Sequence, residues 1–254
     1  MTILALYSNK GGVGKTATAV NLAYLAAQSG RKTLLFDLDP QASATFYLRV
    51  KPKLKSKARG LTAKGAPIEK SIKGSDYPNL DILPADFSHR RLDLTFNKFR
   101  RRRQRLARVL APLDKEYDLI VIDAPPTINL LAENIFEAAD VLLTPLIPTP
   151  LSVRTYQQLR AFLRETNAPA PLWAFLSMVD RRKKLQRDLA ASLSEEIPNL
   201  LAAQIPYLSL VEQMGIHREP TPAFAPRSRA AEAYRALWLE LEMRLAGGEA
   251  TAGS

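Results

Sequence analysis

Residues 9–16 read Asn-Lys-Gly-Gly-Val-Gly-Lys-Thr. Glycines let a backbone turn tightly and approach a ligand closely. Successive N–H groups in such a turn point inward and cradle anionic oxygens. Lys15 and Thr16, directly after the last glycine, add a cation and a hydroxyl ligand. The chemistry this predicts is phosphate binding, with Lys15 at the β- and γ-phosphates and the Thr16 hydroxyl on Mg²⁺. Lys10, Gly11, Gly12, Val13, Gly14, Lys15, Thr16 and Ala17 are the expected nucleotide contacts. Two further segments end apolar runs with carboxylates: Phe36-Asp37-Leu38-Asp39-Pro40-Gln41, and Leu119-Ile120-Val121-Ile122-Asp123-Ala124-Pro125-Pro126. A strand ending in Asp, such as Asp123, is the expected magnesium-side carboxylate of a phosphate-loop nucleotidase.

These residues need a scaffold that brings them together. Apolar runs predict strands at Ile3–Tyr7, Thr33–Asp37, Leu80–Leu83, Asp118–Asp123, Val141–Ile147 and Leu172–Val179. Helical patterns lie at Lys15–Ser29, closed by Gly30, and at Asn97–Leu110, Leu130–Ala138, Val153–Arg164, Leu185–Glu195 and Ser228–Leu245. Strand–helix alternation predicts an α/β fold: a doubly wound, mainly parallel sheet flanked by helices on both faces. Near-continuous apolar strands agree, because parallel strands are buried on both sides. Ligands in such sheets bind at the carboxyl ends of strands, where Asp37, Asp39 and Asp123 fall. No linker splits the 254 residues, so residues 1–246 read as one domain and 247–254 as a flexible tail.

The loop departs from the usual phosphate-loop pattern. Asn9 stands where the first glycine belongs, and Lys10 precedes the paired glycines. This resembles the deviant phosphate-loop family of ParA-type partition ATPases, MinD-type ATPases and nitrogenase iron proteins. The Asp37-x-Asp39-Pro-Gln segment, the Asp123-x-Pro-Pro segment and Pro226-Arg227-Ser228-Arg229-Ala230-Ala231-Glu232-Ala233-Tyr234 are similar to ParA signatures, so the resemblance spans most of the chain. It implies that Lys10 reaches the nucleotide of a second subunit, supplying a cation in trans. It also implies that Asp39 positions the attacking water and that Asp37 supports the magnesium shell or the loop. Lys10, Lys15 and Asp39 are then the catalytic set, with Thr16, Asp37 and Asp123 on the metal. The implied activity is slow, partner-stimulated, Mg²⁺-dependent ATP hydrolysis by an ATP-bound homodimer that holds non-specific DNA. A cargo-adaptor protein stimulates hydrolysis, and a plasmid, chromosome or protein body is positioned on the nucleoid.

The charge agrees with a polyanionic partner: 36 Lys and Arg oppose 25 Asp and Glu, a net of +11. An excess of this kind favours nucleic acid first and anionic membrane second. Expected DNA contacts are Arg181, Arg182, Lys183 and Lys184, with Arg187 behind them, then Arg227 and Arg229. Many relatives carry an arginine after the Ile-Pro of the C-terminal region; here Tyr207 follows Pro206, and Arg218 is the candidate substitute. Residues 51–74 and the run Arg100–Arg103 with Arg105 and Arg108 are basic but unlike common family members. Four consecutive arginines cannot share one helix face.

With no cysteine, disulfides, thiolate metal sites and an iron–sulfur electron donor are excluded. Met1–Tyr7 lacks the basic region and cleavage site of a signal peptide, and the reading is a cytoplasmic, nucleoid-associated protein without membrane attachment. The rival is a MinD-like membrane-surface positioning ATPase, which needs a basic amphipathic C-terminal helix. The apolar stripe Ala230, Ala233, Tyr234, Leu237, Trp238, Leu241 and Leu245 has the spacing of a core-packed helix instead.

Overall fold

The computed structural model describes residues 1–52 and 68–247. The expected tail and most of the basic 51–74 segment therefore lie outside the described residues. In chain order the elements are β1 (Thr2–Leu6), α1 (Lys15–Gln28), β2 (Thr33–Asp37), α2 (Ser43–Tyr47), β3 (Lys73–Gly74), β4 (Leu80–Leu83), α3 (Leu92–Phe96) and α4 (Arg105–Leu110). Then follow β5 (Leu119–Asp123), α5 (Leu130–Ala138), β6 (Val141–Leu146), α6 (Pro150–Glu165), β7 (Leu172–Val179), α7 (Lys184–Glu196) and β8 (Leu200–Pro206). Short helices α8 (Ser209–Glu212), α9 (Met214–His217) and α10 (Thr221–Phe224) lead into α11 (Arg229–Ala246).

The strands form one eight-stranded sheet in the order β3-β4-β2-β5-β1-β6-β7-β8. Every pairing is parallel except β3 with β4. The fold is the expected doubly wound α/β sheet. Side chains alternate across it. Ile3 and Ala5 of β1 join Leu92, Phe96, Leu106, Leu131, Ile135 and Leu159, the layer of α3–α6. Leu4 and Leu6 join Leu22, Ala26, Tyr234 and Trp238, the layer of α1 and α11. Buried alanines at positions 19, 23, 26 and 27 let α1 lie close between sheet and α11. It ends as helices often do, with Gly30 at φ +93 in the left-handed region. The apolar stripe of α11 is in the core, with Ala230, Tyr234, Leu237, Trp238 and Leu241 all buried. No helix among the described residues is long and apolar enough to cross a membrane.

Two readings need correction. Sequence patterning predicts one helix over Asn97–Leu110, whereas the chain forms α3, a turn through the arginines, a 3₁₀ turn at Arg102–Gln104, and the short α4. Like charges crowd an N-terminal helical turn, whose dipole already repels cations. The buried Asn134 of α5 offers the backbone other partners: its Oδ1 accepts from the N–H groups of Arg105 (2.9 Å) and Leu106 (3.2 Å). Its Nδ2 donates to the Arg102 carbonyl at 2.8 Å. The second miss is β8. Its sequence, Leu-Leu-Ala-Ala-Gln-Ile-Pro, has no clean periodicity. It becomes a strand by adding to β7, and Glu240 of α11 accepts from its Ala202 and Ala203 N–H groups at 2.9 Å.

His89 is buried in the 3₁₀ turn Phe87–Arg91, and neither ring nitrogen has a hydrogen-bond partner among the described residues. Burial pushes its pKa down to about 4, against a small opposing pull from Asp86. An imidazole held neutral by the fold stabilises fully above its unfolded pKa. That contribution is lost as pH falls toward the folded value. Urea unfolding of the wild type relative to H89L is therefore expected to lose about 2 kcal/mol between about pH 7 and pH 5. Parallel pH profiles for the two proteins would rule this out.

Candidate nucleotide and switch site

β1 lies centrally, with β5 on one side and β6 on the other. The 9–16 loop leaves β1 and enters α1, so it emerges between the carboxyl ends of its neighbours. Gly12 (φ +70) and Gly14 (φ +92) have left-handed backbones that an L side chain rarely adopts. A Cβ on Gly11 or Gly12 would meet no atom within 4 Å, so the turn is open toward solvent. Gly14 begins α1 without any side-chain cap, leaving the first-turn N–H groups available to an anion.

The loop is braced from below. The Ser177 hydroxyl on β7 donates to the Val13 carbonyl at 3.0 Å. The same oxygen lies 3.0 Å from where a Gly14 Cβ would be. Sequence reading missed Ser177; the available signal was a lone hydroxyl inside an apolar strand. The Ser8 hydroxyl accepts from the Lys10 N–H at 3.2 Å. Lys15 is buried and its Nζ donates to the Lys10 carbonyl at 3.2 Å. Burial pulls the Lys15 pKa down, and the charges of Asp123 and Asp39 pull it back up.

The carboxylates gather on the other side of the loop. Asp37 and Asp123 end β2 and β5 and are register partners. Both are fully buried. Neither oxygen of Asp123 has a partner at hydrogen-bond distance among the described residues. Burial, then the neighbouring Asp37, push its pKa well above the usual carboxylate range, with Thr16 and Lys15 opposing. A buried carboxylate with two orphaned oxygens beside a second aspartate is a site that a divalent cation would satisfy. The residues present therefore fit Mg²⁺.

Asp37 is differently placed. Its Oδ2 accepts from the Thr45 N–H (2.8 Å) and hydroxyl (2.7 Å), and its Oδ1 from the Asp39 N–H (3.2 Å). Burial nevertheless raises its pKa to about 6, against these hydrogen bonds. Thr45 also accepts from the Ala85 N–H at 2.9 Å, linking α2 to the end of β4. Asp39 is half-buried, and its Oδ1 accepts from the Gln41 N–H at 2.9 Å. Lys10 is half-buried at the rim, and its ammonium forms no ion pair among the described residues.

The expected DNA residues divide into groups. Arg181 and Arg229 line one cavity of about 280 Å³ with Gln204 and Glu232, past the ends of β7 and β8. Arg182 instead forms a forked pair with Asp180, both contacts at 2.9 Å, which holds the Asp180 pKa down at about 2. Lys183 and Lys184 are exposed at the start of α7, and Arg227 is exposed before α11. Arg187 is exposed and donates to the Arg181 carbonyl at 2.7 Å. Arg218 is not with them. Its guanidinium lies 4.5 Å over the Phe46 ring, and its Nε donates to the Phe46 carbonyl at 3.1 Å. Tyr207, where relatives carry arginine, is exposed, with its hydroxyl 3.4 Å from Glu212.

Comparison with known proteins agrees with this geometry. Residues 1–169 match a family model described as an AAA domain. The sporulation initiation inhibitor protein Soj of Bacillus subtilis is 30% identical over 239 residues, covering 91% of this chain and 94% of Soj. The chromosome partitioning protein ParA of Caulobacter vibrioides is 28% identical, covering 96% and 95%. Among solved structures, cobyrinic acid a,c-diamide synthase of Mycobacterium smegmatis, with bound ADP and magnesium, has a TM-score of 0.80. It is 26% identical, with 97% of this chain and 96% of that chain covered. With its lysine-bearing glycine loop, its paired strand-end aspartates and relatives matched over nearly their whole length, the chain belongs to the ParA/MinD-type family of phosphate-loop partition ATPases.

Proposed function

We propose that this protein is an ATP-driven dimerisation switch that hydrolyses ATP slowly with Mg²⁺, binds DNA without sequence preference and positions a cargo on the nucleoid. The observation that carries the reading is the convergence of Lys15, Asp39 and the orphaned Asp123 carboxylate on one open glycine loop.

The loop N–H groups and Lys15 bind the β- and γ-phosphates of ATP. The charges of Asp123 and Asp39 oppose the pull of desolvation on the buried Lys15. Thr16 and Asp123, with Asp37 behind them, would hold Mg²⁺, which supplies charge neutralisation at the phosphate oxygens. Asp37 anchors the Asp39 loop through its N–H and Thr45, so Asp39 is held where it can orient the attacking water. Lys10 serves the site of a second copy. Its amine is uncommitted among the described residues, and apolar side chains flank the loop on either side. Ile128, after β5, is 55% exposed and Leu151, after β6, is 61% exposed. Such a rim suits burial against another subunit.

DNA then meets the Arg181–Lys184 segment and Arg229 at the ends of β7 and β8. Hydrolysis, stimulated by an adaptor protein on the cargo, separates the dimer and weakens its hold on the DNA. The burial of the α11 stripe favours this over the membrane-surface alternative, because those apolar residues are already used in the core.

Asp39→Ala is expected to lower turnover about a hundredfold or more while ATP-bound dimer accumulates. Wild-type turnover in that variant would remove Asp39 from the mechanism. Lys10→Ala is expected to stay monomeric with ATP in light scattering, and a normal dimer would end the cross-subunit role. Gel retardation of a random-sequence duplex should increase with ATP and fall steeply with salt. Absence of any ATP-dependent increment would refute the DNA reading.

A further inference from the structure

The positive charge of the chain is not evenly spread. Between Phe87 and Arg108 there are nine Lys and Arg, eight of them Arg, and one acid, Asp93. The whole chain carries a net of only +11. This segment is not a trailing basic tail. Leu92, Phe96, Leu106 and Leu110 are buried in the core, and Asn134 pins the backbone of Arg102, Arg105 and Leu106 to α5. The cations are displayed from a fixed frame on the face carried by α3–α5. That face is opposite α1 and α11, and the segment lies away from the β7 and β8 ends where Arg181 and Arg229 meet.

Some of these cations have partners. Arg103 pairs with Glu133 at 2.6 Å, and Arg102 donates to Asn97 at 2.8 Å. Arg90 lies 4.0 Å over the Phe87 ring and Arg105 4.0 Å over Phe99. Arg100, Arg101 and Arg108 are exposed, and their side chains make no hydrogen bond or ion pair among the described residues. Arg100, Arg101, Arg102, Arg103, Gln104 and Glu137 line an open depression of about 590 Å³.

The lining is decisive about the partner. It contains no apolar side chain, whereas a docked protein segment relies on buried apolar or aromatic anchors. Guanidinium forks match phosphate oxygens in two-point contacts. The irregular backbone splays the arginines in several directions, which suits a polyanion with charges at close, regular intervals. We propose that the Arg100–Arg108 surface binds the phosphate backbone of nucleic acid, and does so in every nucleotide state because no switch residue contributes to it. The proposal deepens the DNA reading above and rests on it for the kind of polyanion, not for the place of binding.

The test is fluorescence anisotropy of a short random-sequence duplex over a salt series, with ADP–Mg²⁺ and with ATP–Mg²⁺. The proteins are the wild type, the triple variant R100S/R101S/R108S and the charge-preserving R100K/R101K/R108K. Wild type should hold the duplex even with ADP. The serine variant should bind about tenfold more weakly with ADP, with a log–log salt slope shallower by about 2 to 3. The lysine variant should recover most of that binding, and the serine variant should keep whatever increment ATP adds. Wild-type affinity and slope in the serine variant would overturn the proposal, as would absence of wild-type binding with ADP. Displacement of the duplex by polyglutamate at equal charge concentration would overturn it in favour of an acidic protein partner. If ATP adds nothing in the wild type while ADP-state binding remains, the switch reading fails and this surface stands.

Discussion

Two aspartates buried side by side at the ends of β2 and β5 set the terms for the rest of the molecule. Parallel register places Asp37 opposite Asp123, and Asp123 opposite Leu6 at the end of β1. Burial raises the pKa of both groups, and the neighbouring Asp37 adds to the cost of ionising Asp123. The fold answers them unequally. Asp37 receives three hydrogen bonds from Thr45 and Asp39, whereas the Asp123 oxygens have no partner at hydrogen-bond distance among the described residues and face Thr16 and the Lys15 end of the glycine loop. One carboxylate is therefore committed to holding a loop, and the other is left to meet charge from a ligand. The division of labour comes from hydrogen-bond supply, since the two side chains are chemically identical.

The same loop is tied to a distant part of the chain. Ala42, Arg49 and Arg218 are non-glycine residues with left-handed backbones, and all three line one cavity of about 580 Å³. Such conformations persist only where surrounding contacts hold them, and they gather at switching segments. Arg49 pairs with Glu219 and Asp76, and Arg218 reaches back to Phe46. On α1, Asn21 accepts from the Thr221 N–H at 2.8 Å. A movement of the Asp39 loop thus has to carry or break contacts to residues 214–221, which lead into α11. That is a physical connection from the Asp39 loop to the C-terminal surface.

Electrostatics divides the exterior into surfaces of different character. Ile128 after β5 and Leu151 after β6 are exposed apolar side chains beyond the ends of the two strands that flank β1. The β7–β8 end carries Arg181 and Arg229 but spends Arg182 on Asp180 and Arg187 on a carbonyl. On the α3–α5 face, Phe87–Arg108 carries nine Lys and Arg against one acid, Asp93, while Glu133 and Glu137 of α5 offset part of that charge. Net charge alone does not distinguish among these; local pairing does.

The sequence by itself determined the glycine loop, the strand-end aspartates and the alternation that makes a doubly wound sheet. Those features are local: a turn, an apolar run and a terminal carboxylate each carry their signal within a few residues. Their convergence was also legible, because parallel strands must present their carboxyl ends to one side. Only tertiary structure decided which aspartate is held and which is left without a partner among the described residues, since Thr45 meets Asp37 only when α2 folds back on the end of β2. Only tertiary structure broke the expected 97–110 helix, because Asn134 supplies backbone partners from another element. It likewise made a strand of Leu200–Pro206, which has no periodicity of its own and exists because β7 offers an edge to pair with. Side-chain identity sets what each residue can do, and neighbours distant in sequence decide which of those capacities is used.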